Sequence, residues 1–178
     1  MRTTTSSLTN DFVPSLVSLL GVMLESWIDI EAWKGRRIMD TEENIALVLN
    51  LYDKFDKGEL EQCTETIDHA FVANVLGTTP LDWPGFMRFG SAFLAAFPDG
   101  RHIFDYVVAE GENVVTIGKY RGTHRGEMQG IPASGRRLRL PVMHLDRVAN
   151  GKIVEHLGLA NEMDLMRQLG VTMAPKPR

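Results

Sequence analysis

Cysteine is nearly missing from this chain: Cys63 stands alone among 178 residues. That excludes an internal disulfide and every zinc motif built on paired cysteines. The five histidines show none of the short spacings that set two imidazoles on one helix face. Neither a glycine-rich dinucleotide fingerprint nor a P-loop occurs, so the sequence asks for no cofactor and no metal site is expected. Positive charge is in deficit, with 19 Lys and Arg against 23 Asp and Glu and a net charge of −4. Nucleic acid is therefore not the expected partner. Long uncharged apolar runs are lacking too. The richest, Phe12 to Leu24, is broken by Pro14 and Gly21 and closed by Glu25, short of the ~20 residues a membrane span requires. No membrane association is expected, and the cytoplasm is the expected compartment.

What remains is ordinary for a globular protein: 44% hydrophobic and 24% charged residues, enough chain for one domain with its own core. Residues 1–38 differ in texture. Met1 to Asn10 is rich in Ser and Thr, and the apolar run follows. Arg2 and that run supply two parts of a secretory signal, but no small-residue cleavage site stands near Trp27 to Trp33. The stretch reads as an N-terminal extension, helical or disordered, or as an artefact of a start placed upstream of Met39. The domain proper is then 39–171, and 172–178 is a tail.

From Thr41, an N-cap candidate, the periodicity is helical. Ile45, Leu49, Tyr52 and Phe55–Asp56 fall on one stripe, and Gly58 ends it. Glu59 to Ile67 predicts a short second helix, and Asp68 to Leu76 a turn and a strand. A third helix starts at Trp83 or Pro84 and runs to Phe97, stopped by Pro98-Asp99-Gly100. Strands follow over Arg101–Glu110, Val114–His124, Arg137–Val148 and Lys152–Asn161, with Asn150-Gly151 as a hairpin turn. Met163 to Leu169 closes the domain as a short helix. Helices first and a meandering sheet last give α+β: a curved antiparallel sheet with about three helices enclosing a cone-shaped pocket.

Period-two counting assigns faces. In Arg137–Val148, residues Leu138, Leu140, Val142, His144 and Asp146 share one face. In the last strand Ile153, Glu155, Leu157, Leu159 and Asn161 share a face, and His156 points the other way. His144 and Glu155 thus sit among aliphatic neighbours, where a titratable group needs a partner or a task.

These elements carry words that resemble a known family. They are Asn44-x-x-Leu47 to Tyr52 closing at Gly58, Asp68-His69-Ala70-Phe71-Val72, Ala95-Ala96-Phe97-Pro98-Asp99, and Glu110-Gly111-Glu112-Asn113-Val114-Val115. The most specific are Gly122-Thr123-His124 through Gly130-Ile131-Pro132 to Gly135, and Gly151-Lys152-Ile153-Val154-Glu155-His156. Together, over Thr41 to Val171, they resemble the SnoaL-like polyketide cyclase (ester cyclase) family of the nuclear transport factor 2-like superfamily. The resemblance implies a cone-shaped cavity, commonly a homodimer, and cofactor-free ring closure by an intramolecular aldol reaction. It also implies an aspartate on the last strand after a Glu-His-Trp word. Here Leu157 replaces the tryptophan and Asn161 stands where the acid is expected, and an amide cannot abstract a proton.

The candidate catalytic residues are His144 and Glu155 as an acid/base pair, with Asn161 and His124 as polarisers. Each has a plainer reading: His144 as a core histidine, Glu155 in an ion pair with Arg121 or Arg147, His124 as a turn residue. Candidate binding residues are Tyr52, Asn74, Trp83, Phe93, Arg121 and Leu157. His69, His102 and His156 read as surface or second-face residues. The expected function is acid/base chemistry of an aldol or isomerase type on a small, mostly apolar carbonyl compound. The alternatives are a non-catalytic binding module on the same fold and, third, a hydrolase in which Glu155 activates a water held by Asn161 and Tyr52.

Overall fold

The computed structural model describes residues 41–75 and 78–171. The readings for 1–38 and for the tail from 172 lie outside the described residues. Helix α1 spans Thr41–Lys57, with Glu42 and Glu43 in its first turn and Lys54 and Lys57 in its last, charges placed to complement the helix dipole. Its buried stripe is Asn44, Val48, Leu51, Tyr52, Phe55 and Asp56; two polar side chains lie on the face turned to the core. The segment expected as a second helix is a 3₁₀ helix over Leu60–Thr66.

Strand β1 spans Ile67–Val75. Helix α2 spans Trp83–Ala96, capped by Asp82, whose side chain accepts from the Gly85 amide at 2.8 Å. The remaining strands are β2 (Arg101–Glu110), β3 (Asn113–Thr123), β4 (Arg137–Ala149) and β5 (Lys152–Ala160). Helix α3 (Glu162–Leu169) ends at Gly170. Between β4 and β5, Asn150 and Gly151 both take positive φ, 52° and 78°, as a tight hairpin requires. Among the described residues no helix is long and apolar enough to cross a membrane.

The strands form one sheet in the order β1-β5-β4-β3-β2. Neighbours are antiparallel except at one edge, where β1 runs parallel to β5. α1 and α2 pack on the inner face, and Val48, Leu51, Phe55, Phe71, Phe93, Leu140 and Ile153 form the centre of the core. The fold is α+β, as the order of elements predicts.

Two irregularities set what faces inward. In β2, Phe104 pairs with Gly118 and Tyr106 with Ile117, so Asp105 is an extra residue. In β5, Arg147 pairs with Glu155 and Val148 with Ile153, so Val154 is extra. Each bulge reverses the alternation beyond it.

Candidate functional site

The bulge at Val154 overturns the face assignment made by simple alternation. Ile153 is buried, but Glu155 is exposed and its carboxylate lies 3.3 Å from Nε of Arg147 on the outer face. His156 turns inward instead and is 3% exposed. The proposed pairing of His144 with Glu155 is therefore replaced by a pairing of His144 with His156. Their rings stack at 5.6 Å between centroids.

β4 needs no correction. His144 is 7% exposed and Asp146 is 0% exposed, two inward positions of one regular strand. Asp146 accepts from Nδ1 of His156 at 2.8 Å and from the Tyr52 hydroxyl at 2.7 Å. A carboxylate only accepts, so Nδ1 of His156 carries the hydrogen and Nε2 is the free basic position. That Nε2 borders Gly158, where an added Cβ would lie 3.1 Å away, and the Cδ2 edge of His144 borders the same glycine at 3.5 Å. Gly158 thus keeps open the gap between the two imidazoles. Nδ1 of His144 meets the Thr116 hydroxyl at 3.0 Å.

A second histidine–carboxylate pair comes from α1 and β2. Asp56 accepts from the backbone N–H of His102 and pairs with its Nδ1, both at 2.7 Å. The His102 ring lies 5.4 Å from that of His144.

Electrostatics follow from burial. Desolvation, then the neighbouring His156 and His102, hold His144 well below the ordinary imidazole value of 6.5, so it is neutral near pH 7. Burial, then the charge of Asp146, push the Tyr52 phenol well above its usual range, so it stays a hydrogen-bond donor.

Tyr52, His102, His144 and His156 line a cavity with apolar walls that include Phe86, Phe89, Phe93, Leu140 and Val142. Its volume is ≈ 60 Å³, room for a few waters, because the phenyl rings of α2 lean into it. The half-buried lining residues Phe89 and Ala160 mark its open side.

Of the candidate catalytic and binding residues read from the sequence, Tyr52, Phe93 and His144 line this cavity. The others do not. Asn161 caps α3, accepting from the Asp164 amide at 3.0 Å, so the residue taken to replace the expected acid lies outside the site. The inward positions after His156 are Gly158 and Ala160, and neither can ionise. His124 is fully buried in the loop after β3, its Nδ1 3.0 Å from the Ser134 hydroxyl and its ring against Phe97. Trp83 gives its indole N–H to Thr64 at 3.2 Å. Arg121 is exposed, paired in register between Arg101 and Arg139. Leu157 and Asn74 pair with each other in the sheet, half-buried and away from the cavity lining. Among the described residues no group of three or more His, Cys, Asp or Glu side chains is placed to hold a metal.

His102, His156, Asp56 and Asp146 were missed as site residues. For the two acids a signal existed. Asp56 lies on the apolar stripe of α1 and Asp146 on the buried face of β4, and a carboxylate in either place calls for a partner. His102 and His156 gave no comparable sign, since the bulge that turns His156 inward has no local mark in Lys152–Ala160.

The SnoaL-like polyketide cyclase profile matches residues 46–169. The chain belongs to that family. The aklanonic acid methyl ester cyclase DauD of Streptomyces sp. (strain C5) is 29% identical over 134 residues, covering 71% of this chain and 81% of that one. The crystal structure of IdmH, a candidate polyketide cyclase of Streptomyces antibioticus, superposes with a TM-score of 0.64 at 31% identity, covering 72% of this chain and 99% of that one. A SnoaL-like protein of Jannaschia sp. CCS1 superposes with a TM-score of 0.70 at 21% identity, over 78% and 100% of the two chains; at that identity the likeness speaks for the fold.

Proposed function

We propose that this member of the family is an acid/base catalyst acting on a small, mostly apolar carbonyl compound, by aldol-type or isomerase-like chemistry that needs only its own side chains. The observation that carries the reading is the chain Tyr52–Asp146–His156, which ends on a free Nε2 beside His144 at the floor of an apolar cavity. His156 takes the proton α to a carbonyl, and Asp146 stabilises the imidazolium that forms. His144, neutral through burial and fixed by Thr116, offers its other ring nitrogen to the enolate oxygen in a water-poor site. The histidine–aspartate pair takes the part of the strand aspartate that the family resemblance leads one to expect.

The narrow cavity favours a second reading, a binding module that holds a ligand without turning it over. The hydrolytic alternative loses its support, since Glu155 and Asn161 lie outside the cavity. The test uses aklanonic acid methyl ester, after the curated relative. Ring closure by the wild type, lost by on the order of 100-fold or more in His156→Gln, supports catalysis. Binding by thermal shift without conversion selects the module.

A homodimer is part of the proposal. Tyr106, Ile117, Met143 and Leu159 pair across the sheet in one row, and Val108, Val115, Leu145 and Leu157 in the next. Tyr106, Val108, Met143, Leu145 and Leu159 are exposed. An apolar sheet face of this kind suits a self-complementary two-fold contact.

A further inference from the structure

We propose that His102, held by Asp56, is the proton donor to the acceptor carbonyl in the same cavity, acting with the His156–Asp146 pair that takes the carbon proton. The inference rests on the acid/base reading above and adds a second catalytic group to it.

Asp56 lies on the buried stripe of α1 and spends both carboxylate oxygens on one residue, the backbone N–H and Nδ1 of His102. That double contact fixes the ring and commits Nδ1 to the carboxylate, leaving Nε2 as the position free for chemistry. Tyr52 at 5.1 Å, Phe55 at 5.5 Å and Tyr120 at 4.9 Å between ring centroids hold the imidazole in place. His102 nevertheless lines the cavity. It comes from β2, while His156 comes from β5, with β3 and β4 between them. His144 stands between the two, 5.4 Å from one ring and 5.6 Å from the other. The site thus holds two histidines, each with its Nδ1 committed to a buried aspartate.

Ring closure needs two such groups, because protons move at two different atoms. The C–H bond of the donor carbon breaks and its proton goes to Nε2 of His156. The freed electron pair forms the new bond to the acceptor carbonyl carbon. The π pair of that carbonyl moves to its oxygen, which takes the proton from Nε2 of the His102 imidazolium. One histidine ends a proton richer and the other a proton poorer, and exchange with solvent restores both. Asp56 is a positioning residue: it orients His102 and stabilises its charged form.

A structural role for the pair, as a staple between α1 and β2, predicts a different outcome from a catalytic one. The full chain is incubated with the ester of the preceding test in D2O, and deuterium uptake at the acidic carbon and ring closure are followed separately. The expected result is that His156→Gln loses both. His102→Gln keeps deuterium uptake within about 3-fold and loses ring closure by on the order of 100-fold or more. Asp56→Asn gives the same split with a smaller loss, and decides the matter alone if His102→Gln does not fold. Folded variants of both that close the ring at the wild-type rate, or lose uptake and closure equally, overturn the assignment of His102 while leaving His156 as the base. Wild-type protein that neither exchanges nor closes the ester overturns the acid/base reading on this substrate class, and this inference with it.

Discussion

The two faces of β4 obey the same alternation and carry opposite contents. Inward, Thr116 and Tyr52 join His144 and Asp146 in a hydrogen-bonded cluster shut from water. Outward, Met143 and Leu145 are 43% and 38% exposed. Elsewhere the strand keeps the ordinary arrangement, with Leu138, Leu140 and Val148 buried and Arg137 and Arg139 exposed. Polar groups inside a sheet cost free energy unless each has a partner, and here each carboxylate has two hydrogen bonds. Apolar groups outside cost solubility unless something covers them. The inner face carries the groups of the proposed chemistry, and the outer one those of the proposed contact.

Substitutions on the two faces sharpen that contrast. The largest effect is expected at Asp146→Ala, which strands the Tyr52 hydroxyl and Nδ1 of His156 in a fully buried place. A loss of about 3 kcal/mol in urea unfolding is expected; a loss under about 1 kcal/mol would show that the cluster is not held as described.

Acid comes next. The folded state holds His144 below 6.5, with burial as the main cause and His156 and His102 adding to it. The unfolded chain therefore binds more protons as pH falls below about 6.5, and stability declines from there down through the lowered folded value. The urea midpoint should fall on acidification, and His144→Gln should flatten that slope. An unchanged slope would mean that His144 is not desolvated.

On the outer face, Leu145→Glu should leave the fold and the ester reaction within a few-fold of wild type and convert a dimer to a monomer in sedimentation velocity. Loss of folding instead would make the outer face part of the core. The smallest effect is expected at Glu155→Gln. Its ion pair with Arg147 is exposed, 41% and 49% for the two side chains, so stability should stay within about 0.5 kcal/mol and activity should not change. A large loss of activity there would restore Glu155 to the site.

Much of the fold was legible because its signals are local. The stripe through Tyr52 and Phe55–Asp56, the helix start at Trp83 with Pro84 behind it, and the Asn150-Gly151 turn each act over a few residues and appear where they were read, although Ile45 and Leu49 are only half-buried and Val48 and Leu51 take the core positions. The site was legible only in part. His144 was placed correctly because β4 is regular over its length. Glu155 was misplaced because one extra residue, Val154, turns the strand over, and nothing in its neighbours announces a bulge. Asn161 was read as a strand residue but serves as the cap of α3, since the chain leaves the sheet at Ala160.

By itself the sequence determined the elements, their order, the α+β class and the inner face of β4, all consequences of backbone geometry and side-chain alternation over short stretches. Tertiary structure alone decided the partners: Tyr52 reaches Asp146 across 94 positions and Asp56 reaches His102 across 46. Such contacts depend on where a helix lands on a sheet and where a ladder slips by one residue. Those are properties of the packed whole, and no window of the chain carries them.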